Sequence, residues 1–387
     1  MSDGRFDGMI IGAGIGGLMT GIALQSVGIN IDIYEAAEEL HPIGAGILIP
    51  PNAMRVLAHF GLAEKVRVSG NEIDNLQVSD YLGRKISTTR SSHELDNRYF
   101  KTVAIHRGKL HAILLERFGD VGIHLNCELE DIMTSEECLQ VHFTNGHCLA
   151  ADFVIGADGL RSKTRQAIIP EASLRDSQQT CWRGIANIQL AEERESQLTE
   201  LWGNGTRFGF VPISGDQVYW YATVADKLYD PTQSQEAAEY LQSVFSDYLS
   251  TVNQIIDSTP NGTIIEGHIF DLKPLKKWAD KNVVLLGDAA HAITPNLGQG
   301  GALAIEDAFE LAEKVARCGG SKDVFVEFQK ARQYRVNKIS RASWIIGQLT
   351  NWCSPMACTA RNKVLRNIPQ KVGQAQSGFL YNYEIKR

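Results

Sequence analysis

The sequence lacks the features that define several common protein classes. Its seven cysteines are scattered and form no C-x-x-C pair, so neither a disulfide framework nor a metal site is predicted. No uninterrupted apolar run approaches the roughly 20 residues that a membrane helix needs. No basic block stands out and the formal net charge is −7, which disfavours nucleic acid as a partner. We therefore expect a cytoplasmic protein with reduced thiols and no stable membrane insertion, as a monomer or a homodimer.

Two hydrolase signatures, H-E-x-x-H and G-x-S-x-G, are also absent, so the chemistry does not require a catalytic zinc or a serine nucleophile. What the chain does contain is glycine in three turns, each of which follows a short apolar strand. Because ligands of open α/β sheets bind at the carboxyl ends of the strands, these turns are the first candidates for a binding site.

The first turn contains the spacing G-x-G-x-x-G, with its glycines at Gly12, Gly14 and Gly17. A strand is predicted over 8–12, a helix over 16–27 and a second strand over 31–34, which together make a βαβ unit. Glu35 follows the second strand, where a carboxylate accepts hydrogen bonds from ribose hydroxyls and repels a 2′-phosphate. The unit predicts dinucleotide binding, but the motif alone does not separate FAD from NAD.

The second turn, Gly156-Ala157-Asp158-Gly159, follows a buried strand. In one interpretation Asp158 meets a ribose or a water near a pyrophosphate, with positive charge nearby from Arg161, Lys163 and Arg165. In the other, Asp158 caps a helix that begins with solvated basic residues. The motif does not decide between them.

The third turn starts at Gly287-Asp288 and continues to Gly298-Gln299-Gly300-Gly301, which opens a helix predicted over 301–318. Asp288 is placed to bind a ribose or ribityl hydroxyl, and Pro295 stiffens the approach. The helix N-terminus would stabilise negative charge on a bound ligand. For His291 we favour a packed or surface histidine over a catalytic one.

These three motifs, in this order and spacing, resemble the FAD-dependent aromatic hydroxylases of the p-hydroxybenzoate hydroxylase type. The resemblance is greatest to the branch of salicylate hydroxylase, urate hydroxylase and zeaxanthin epoxidase. It extends over nearly the whole chain and includes Gly44-Ala45-Gly46-Ile47, Pro51-Asn52-Ala53, and Arg107 with Leu110 at a helix start.

The resemblance implies a role for each matching residue. The ADP half of FAD would be held by Gly12, Gly14, Gly17 and Glu35. Arg107 would reach the ribityl-phosphate region and Asp288 the ribityl chain. Asp158, in the turn with Gly159, would serve the pyrophosphate and the transient NAD(P)H site. The isoalloxazine ring would be lined by Gly44 to Ile47 (with Gly46 among them) and by Pro295 to Gly301, which contains Gly298, Gln299, Gly300 and Gly301.

Patterning along the chain agrees with such an architecture. Short strand-like runs recur over 176–269, interrupted by one helix predicted over 235–256, and a fully apolar strand follows at 282–286. We predict an α/β fold (α+β overall) in which a Rossmann-like FAD-binding domain is built from discontinuous segments. The predicted segments are 1–75, 100–175 and 270–342 for this domain, 76–99 and 176–269 for an inserted antiparallel β-sheet substrate domain, and 343–387 for a C-terminal helical tail.

Substrate-touching candidates come from the inserted sheet. Arg207 and Tyr219 occupy positions that lie at the substrate in the urate hydroxylase relatives, and Arg183 is a weaker candidate. The alternative for the first two is a cross-strand packing pair. Phe208 and Phe210 stand where those relatives have polar groups, which favours a more apolar substrate than urate. The apolar residues of the tail, Phe379 and Tyr381 among them, are expected to cap the pocket or pack on the FAD domain rather than form a membrane or dimer contact.

The implied activity is that of an FAD-dependent monooxygenase. NAD(P)H would reduce FAD, O2 would add to it, and the flavin C4a-hydroperoxide would hydroxylate a small aromatic or heteroaromatic substrate. Olefin epoxidation and a flavin reductase or oxidase without oxygen insertion remain as alternatives, as does a non-catalytic FAD-binding partner. The choice between NADH and NADPH stays open.

Overall fold

The computed structural model describes residues 8–40, 45–95, 98–119, 122–134, 138–230, 236–368 and 378–385. Its strands are β1 Gly8–Ile11, β2 Asp32–Tyr34, β3 Gly46–Ile49, β4 Asn71–Ile73, β5 Asn75–Asp80, β6 Lys85–Arg90, β7 Ser92–Leu95, β8 Arg98–His106, β9 Ile123–His124, β10 Leu129–Thr134, β11 Leu139–Phe143, β12 Cys148–Ala151, β13 Phe153–Gly156, β14 Leu174–Asn187, β15 Gln197–Trp202, β16 Thr206–Pro212, β17 Gln217–Ala225, β18 Ile265–Leu272, β19 Ala279–Asp280 and β20 Val283–Leu285.

The helices are α1 Ile15–Ser26, α2 Pro51–His59, α3 Ala63–Ser69, α4 Arg107–Phe118, α5 Lys163–Ile168, α6 Ala237–Val244, α7 Ser250–Asp257, α8 Asp288–His291, α9 Gly300–Cys318, α10 Lys322–Thr350 and α11 Pro355–Arg366. Short 3-10 turns lie at Glu192–Arg194, Asp226–Leu228 and Pro295–Leu297.

The nucleotide-binding part is a six-stranded sheet in the order β19-β20-β13-β1-β2-β9, parallel except for β19. Its central strands are apolar on both faces because helices α1 and α9 cover one side and the three-stranded sheet β10-β11-β12 covers the other. The predicted βαβ unit is confirmed as β1, α1 and β2. All three glycine turns leave β1, β13 and β20 at the same carboxyl edge, which brings them to one cleft.

The second large sheet has seven strands in the order β18-β14-β17-β16-β15-β5-β6. It is antiparallel except where β15 runs parallel to β5. Its outer face packs on α6 and α7 through an aromatic core, and its inner face looks toward β3 and the cleft. The predicted mixed fold with an inserted antiparallel sheet is confirmed.

The single helix predicted over 235–256 is wrong, because the structure has two helices, α6 and α7, with a break between them. At the break Phe245 and Tyr248 turn inward and stack edge-to-face with centroids 4.8 Å apart. The Tyr248 hydroxyl lies 2.7 Å from Thr206 Oγ1 on the sheet. Tertiary packing of these rings ends the first helix although the local sequence is compatible with its continuing.

Helix α10 runs without interruption across the boundary predicted at residues 342 and 343. After α11 the described chain resumes at residues 378–385, which pack on the nucleotide-binding core through Phe379, Leu380 and Tyr383. This is the packing expected for Phe379. Ile345 and Trp352 are instead exposed.

Candidate active site

The turn after β1 contains glycine for two different physical reasons. Gly12 has φ +102°, and a Cβ there would lie 2.7 Å from the Ala157 carbonyl oxygen; a Cβ on Gly17 would lie 1.9 Å from the Gly12 carbonyl oxygen. Both glycines are therefore required by the fold itself. Gly14 is extended, and no protein atom lies within 4 Å of an added Cβ. Its space opens to the cleft, as close approach of a pyrophosphate requires.

Glu35 is fixed beside this turn. Its Oε2 accepts from the Ala13 backbone N–H at 2.7 Å and its Oε1 from the Ala37 N–H at 3.0 Å. The carboxylate thus lies at the carboxyl edge of β2, next to the helix N-terminus where a phosphate would bind. This is the position expected for the group that holds a ribose.

Asp158 makes the contacts of the capping interpretation. Its Oδ1 accepts from Ser162 Oγ at 2.6 Å, and its Oδ2 accepts from the N–H and hydroxyl of Thr164 at 2.9 and 3.0 Å. Gly159 follows with φ +75°. Arg165 is 2% exposed and donates to the carbonyls of Leu160 and Ala289, whereas Arg161 and Lys163 are exposed, so the basic helix start is solvated in part. Contact of Asp158 with a pyrophosphate stays a prediction.

Asp288 begins α8 on the floor of the cleft, open to it, with Gly300 alongside. The surrounding protein raises the pKa of its carboxyl group by burial, and His291, Arg107 and Arg165 oppose that shift with positive charge. Arg107 begins α4, and its backbone N–H donates to the Ala45 carbonyl at 3.0 Å. Asp288 and Arg107 therefore face one cleft from two elements, and their contact with FAD stays a prediction.

The predicted ring-lining segments meet each other. An added Cβ on Gly301 would lie 3.1 Å from Ile47 Cδ1, and one on Gly298, whose φ is +61°, would lie 3.4 Å from Leu48 Cδ1. Pro295 opens the 3-10 turn and is exposed. Gln299 differs from the rest because its side chain is fully buried. Of the predicted lining residues, Gly44 is outside the described ranges.

Gly46 joins these segments to the second sheet. A Cβ at this glycine would lie 2.4 Å from Cγ of Tyr219, so only glycine lets β3 pass beneath the ring. Ile185 and Val211 of the sheet pack with Leu48 and Tyr219 in one apolar cluster. The space beside the ring-lining segments is thus bounded on one side by Tyr219 and by the aliphatic side chains of Ile185 and Val211.

The prediction that Phe208 and Phe210 surround the substrate is wrong. Side chains alternate across a strand, so both rings lie on the face opposite Arg207. Each is fully buried in the outer aromatic core, where Phe208 stacks on Trp220 at 5.4 Å. They support the sheet from behind and do not set the polarity of the substrate space.

Arg207 lies on the inner face but is only 1% exposed. Its Nη2 donates to Asn296 Oδ1 at 2.7 Å, and its guanidinium carbon lies 5.6 Å from the Tyr221 ring centroid. Glu200, 3.8 Å from Arg207 Nη1, also accepts from the Tyr221 hydroxyl. The alternative of a cross-strand packing pair is therefore met in part. Arg207 packs on an aromatic ring, but the ring is that of Tyr221 and not that of Tyr219.

Tyr219 is half-buried, and burial raises its pKa to about 12 against the opposing charge of Arg183 and Arg207. At neutral pH its hydroxyl is a hydrogen-bond donor and not a base. Arg183 is exposed and lines a cleft of about 330 Å³ with Ala45, His106, Ile185, Asn187, Gln217 and Ile265, among others. This cleft opens beside the ring-lining strand.

His291 is packed, as expected. It is 5% exposed, its Nε2 lies 2.5 Å from Asp307 Oδ2, and its ring lies 5.1 Å from that of Trp278. The sequence analysis missed Glu200, Glu306, Asp307 and Arg332, which no local motif marks. Asn296 lies in the predicted ring-lining segment, but its contact with Arg207 was missed because the two residues are distant in the chain.

No helix in the described part of the chain is both long and apolar enough to cross a membrane.

The geometry defines a nucleotide-binding domain whose glycine turns fit FAD, with a second sheet that packs against the cleft side of β3. A family model described as FAD binding domain matches residues 5–341, and the chain belongs to this family. It is a flavoprotein monooxygenase, which confirms the resemblance seen in the sequence.

The similarity to known proteins extends over almost the whole chain. The aurachin C monooxygenase/isomerase of Stigmatella aurantiaca is 36% identical over 358 residues, 92% of this chain and 93% of that protein. The 2-heptyl-3-hydroxy-4(1H)-quinolone synthase of Pseudomonas aeruginosa is 33% identical over 363 residues, 93% of this chain and 94% of that one. The fold matches that of Klebsiella pneumoniae HpxO complexed with FAD and uric acid, with TM-score 0.85, 24% identity and 97% coverage of each chain.

Proposed function

We propose that this protein hydroxylates a heteroaromatic ring of the 4(1H)-quinolone type, with NAD(P)H as reductant and O2 as oxygen donor. The observation that carries the proposal is the position of Tyr219, a protonated phenol held over Gly46 beside aliphatic Leu48 and Val211. A flat ring with one carbonyl group matches such a space, since it offers apolar faces and a single acceptor. A related protein, 33% identical, is named for a quinolone product.

FAD, when bound, supplies the redox chemistry that uses NAD(P)H and O2. The chain would hold it through the first glycine turn, Glu35, Arg107 and Asp288, and the N-terminus of α9 would favour negative charge on a ring bound in front of it. Asp158 and Gly159 are proposed to face its pyrophosphate. The roles of Gly298, Gly300 and Gly301 are to bring backbone N–H groups close to the ring.

The side chains of the sheet act on the substrate. Tyr219 Oη donates a hydrogen bond to the ring carbonyl oxygen and so stabilises the quinolone anion that forms when the ring N–H gives its proton to water; in this anion the carbon next to the carbonyl group is nucleophilic. Arg207, enclosed against the Tyr221 ring, stabilises the same anion through its charge, which acts more strongly where water is excluded. The aliphatic wall excludes water, and this limits wasteful formation of H2O2.

The test supplies the holoprotein with isotopically labelled O2, NADH or NADPH, and three compounds: a 2-alkyl-4(1H)-quinolone, unsubstituted 4(1H)-quinolone and urate. We expect one labelled oxygen on the quinolone ring, detected by mass spectrometry. With a 2-alkenyl-4(1H)-quinolone in place of the 2-alkyl compound, label on the olefinic side chain and not on the ring would favour an epoxidase. Formation of H2O2 with no labelled product from any compound would replace the proposal with an oxidase.

A further inference from the structure

Two adjacent carboxylates of α9, Glu306 and Asp307, are completely buried behind the cleft. Asp307 Oδ2 accepts from the Gly287 backbone N–H at 3.0 Å and lies 2.5 Å from His291 Nε2. Gly287, whose φ is +55°, is the residue that turns the chain into Asp288. Asp307 therefore fixes the turn that presents Asp288 to the cleft.

Glu306 holds the other turn through one intermediary. The Nδ2 group of Asn52 donates to Glu306 Oε1 at 2.6 Å and to Gln299 Oε1 at 3.0 Å. Asn52 and Gln299 are also fully buried. Since Gln299 stands between Gly298 and Gly300, the position of Glu306 determines where the glycines of this turn point.

Two arginines of α10 neutralise these buried carboxylates. Arg332 donates from Nε to Asp307 and from Nη2 to Glu306, both at 2.7 Å. Arg335 donates from Nε and Nη2 to the two oxygens of Glu306 at 2.9 and 2.8 Å. A buried carboxylate without such partners would be protonated or displaced, so the arginines decide whether Glu306 stays in place.

Arg335 also binds the C-terminal segment, residues 378–385. Its Nη1 donates to the Phe379 carbonyl and its Nη2 to the Leu380 carbonyl, each at 2.7 Å. The same segment is held by Arg55, which donates to the Tyr383 carbonyl, and by Arg332, which lies 5.3 Å from the Tyr383 ring. A continuous path thus runs from the C-terminal segment through Arg335, Glu306 and Asn52 to Gln299.

We infer that Arg335 is a positioning residue that couples docking of the C-terminal segment to FAD binding. With the segment docked, Arg335 is held in the geometry that fixes Glu306, and the turn at Gln299 is preformed for the cofactor. Coupling of this kind is reciprocal, so bound FAD must stabilise the docked segment by the same factor by which the segment strengthens FAD binding. The inference concerns FAD binding and does not depend on the proposed substrate.

The first test measures hydrogen exchange of residues 378–385 in the unaltered protein, with and without FAD. We expect FAD to slow exchange there by about tenfold, a typical coupling factor. If the contact of Arg335 with this segment were purely structural, the amide hydrogens of residues 378–385 would exchange at the same rate with and without FAD. Exchange that does not respond to FAD would overturn the inference.

The second test compares the dissociation constant of FAD in Arg335→Met, in Arg341→Met and in a chain that ends at Ser377. Arg341 is an exposed arginine of the same helix and serves as the matched control. We expect weakening of about tenfold in Arg335→Met and in the shortened chain, and no change in Arg341→Met. Unchanged FAD affinity with a lowered melting temperature would show that Arg335 only stabilises the fold. If Arg335→Met does not fold, the shortened chain and the exchange experiment decide the question.

Discussion

Arg207 of β16 and Asn296 of the 3-10 turn are joined by a hydrogen bond of 2.7 Å between Nη2 and Oδ1. Asn296 also donates to Thr294 Oγ1 at 2.9 Å and to the Ser343 carbonyl at 3.0 Å. The side-chain amide of Asn296 thus links the seven-stranded sheet, the loop at 295–301 and α10. We therefore expect this contact to set the relative position of substrate and flavin in the proposed reaction.

Replacing Asn296 with alanine is expected to uncouple reduction from product formation. A buried hydrogen bond to a charged group contributes about 1.5–3 kcal/mol, so we expect product formation to fall about tenfold or more while NAD(P)H oxidation continues as H2O2 production. The measurement is the ratio of product to NAD(P)H consumed. Asn367→Ala, at an exposed site directly after α11, is the control; an unchanged ratio in Asn296→Ala would contradict the linking role.

Tyr219→Phe is expected to lower kcat/KM by about three- to tenfold, the effect of one neutral hydrogen bond. Because burial raises the pKa of Tyr219 to about 12, its proton is present at all pH values well below that number and is lost only as the pH rises toward it. The contribution of the hydroxyl should therefore be constant across the neutral range. Tyr334→Phe, on a ring that is 75% exposed, should have no effect. A wild-type to Tyr219→Phe ratio that changes between pH 6 and pH 9, or stays at unity, would refute a donor role.

Alanine should weaken FAD binding when it replaces Gly14 but destabilise the apoprotein when it replaces Gly17. Gly14→Ala meets no protein atom within 4 Å, so the apoprotein should keep its melting temperature while the FAD dissociation constant rises about tenfold or more. Gly17→Ala places a Cβ 1.9 Å from the Gly12 carbonyl oxygen, so the apoprotein itself should be destabilised. Thermal unfolding of both apoproteins and FAD titration separate the two. Equal FAD dissociation constants for wild type and Gly14→Ala would show that the pyrophosphate does not bind at this turn.

Phe208→Leu should cost about 1–3 kcal/mol of unfolding free energy with KM for the substrate unchanged, since Phe208 lies in the outer core against Trp220. Denaturant unfolding and steady-state kinetics provide the two readouts. A change of substrate preference without loss of stability would instead place this ring at the substrate.

The local features of the site could be predicted from the sequence, because the glycine turns, Glu35 and Asp288 follow strands whose apolar pattern is plain. Contacts between distant segments could not. Asn52 and Glu306 are 254 positions apart, and Arg207 and Asn296 are 89 apart; the motifs that contain Asn52 and Asn296 do not indicate which distant residue each one contacts. That Phe208 lies on the face opposite Arg207 follows from the alternation of side chains along β16 and could have been predicted; which of the two faces meets the cleft could not.

The tail shows the same limit in another form. Phe379 is apolar and was expected to pack on the FAD domain, which the structure confirms. The polar part of that contact is made by backbone carbonyls of Phe379 and Leu380 with Arg335, and a backbone group has no signature in the sequence.

Anaerobic stopped-flow reduction of the bound flavin by NADH or NADPH tests the central claim most directly. The loss of the visible absorption of oxidised flavin is followed with and without a 4(1H)-quinolone, and O2 is then admitted to look for the hydroxylated ring. The account predicts bound FAD that NAD(P)H bleaches and a hydroxylated product once O2 is present. Flavin that NAD(P)H does not reduce under any of these conditions, or a protein that retains no FAD, would contradict it.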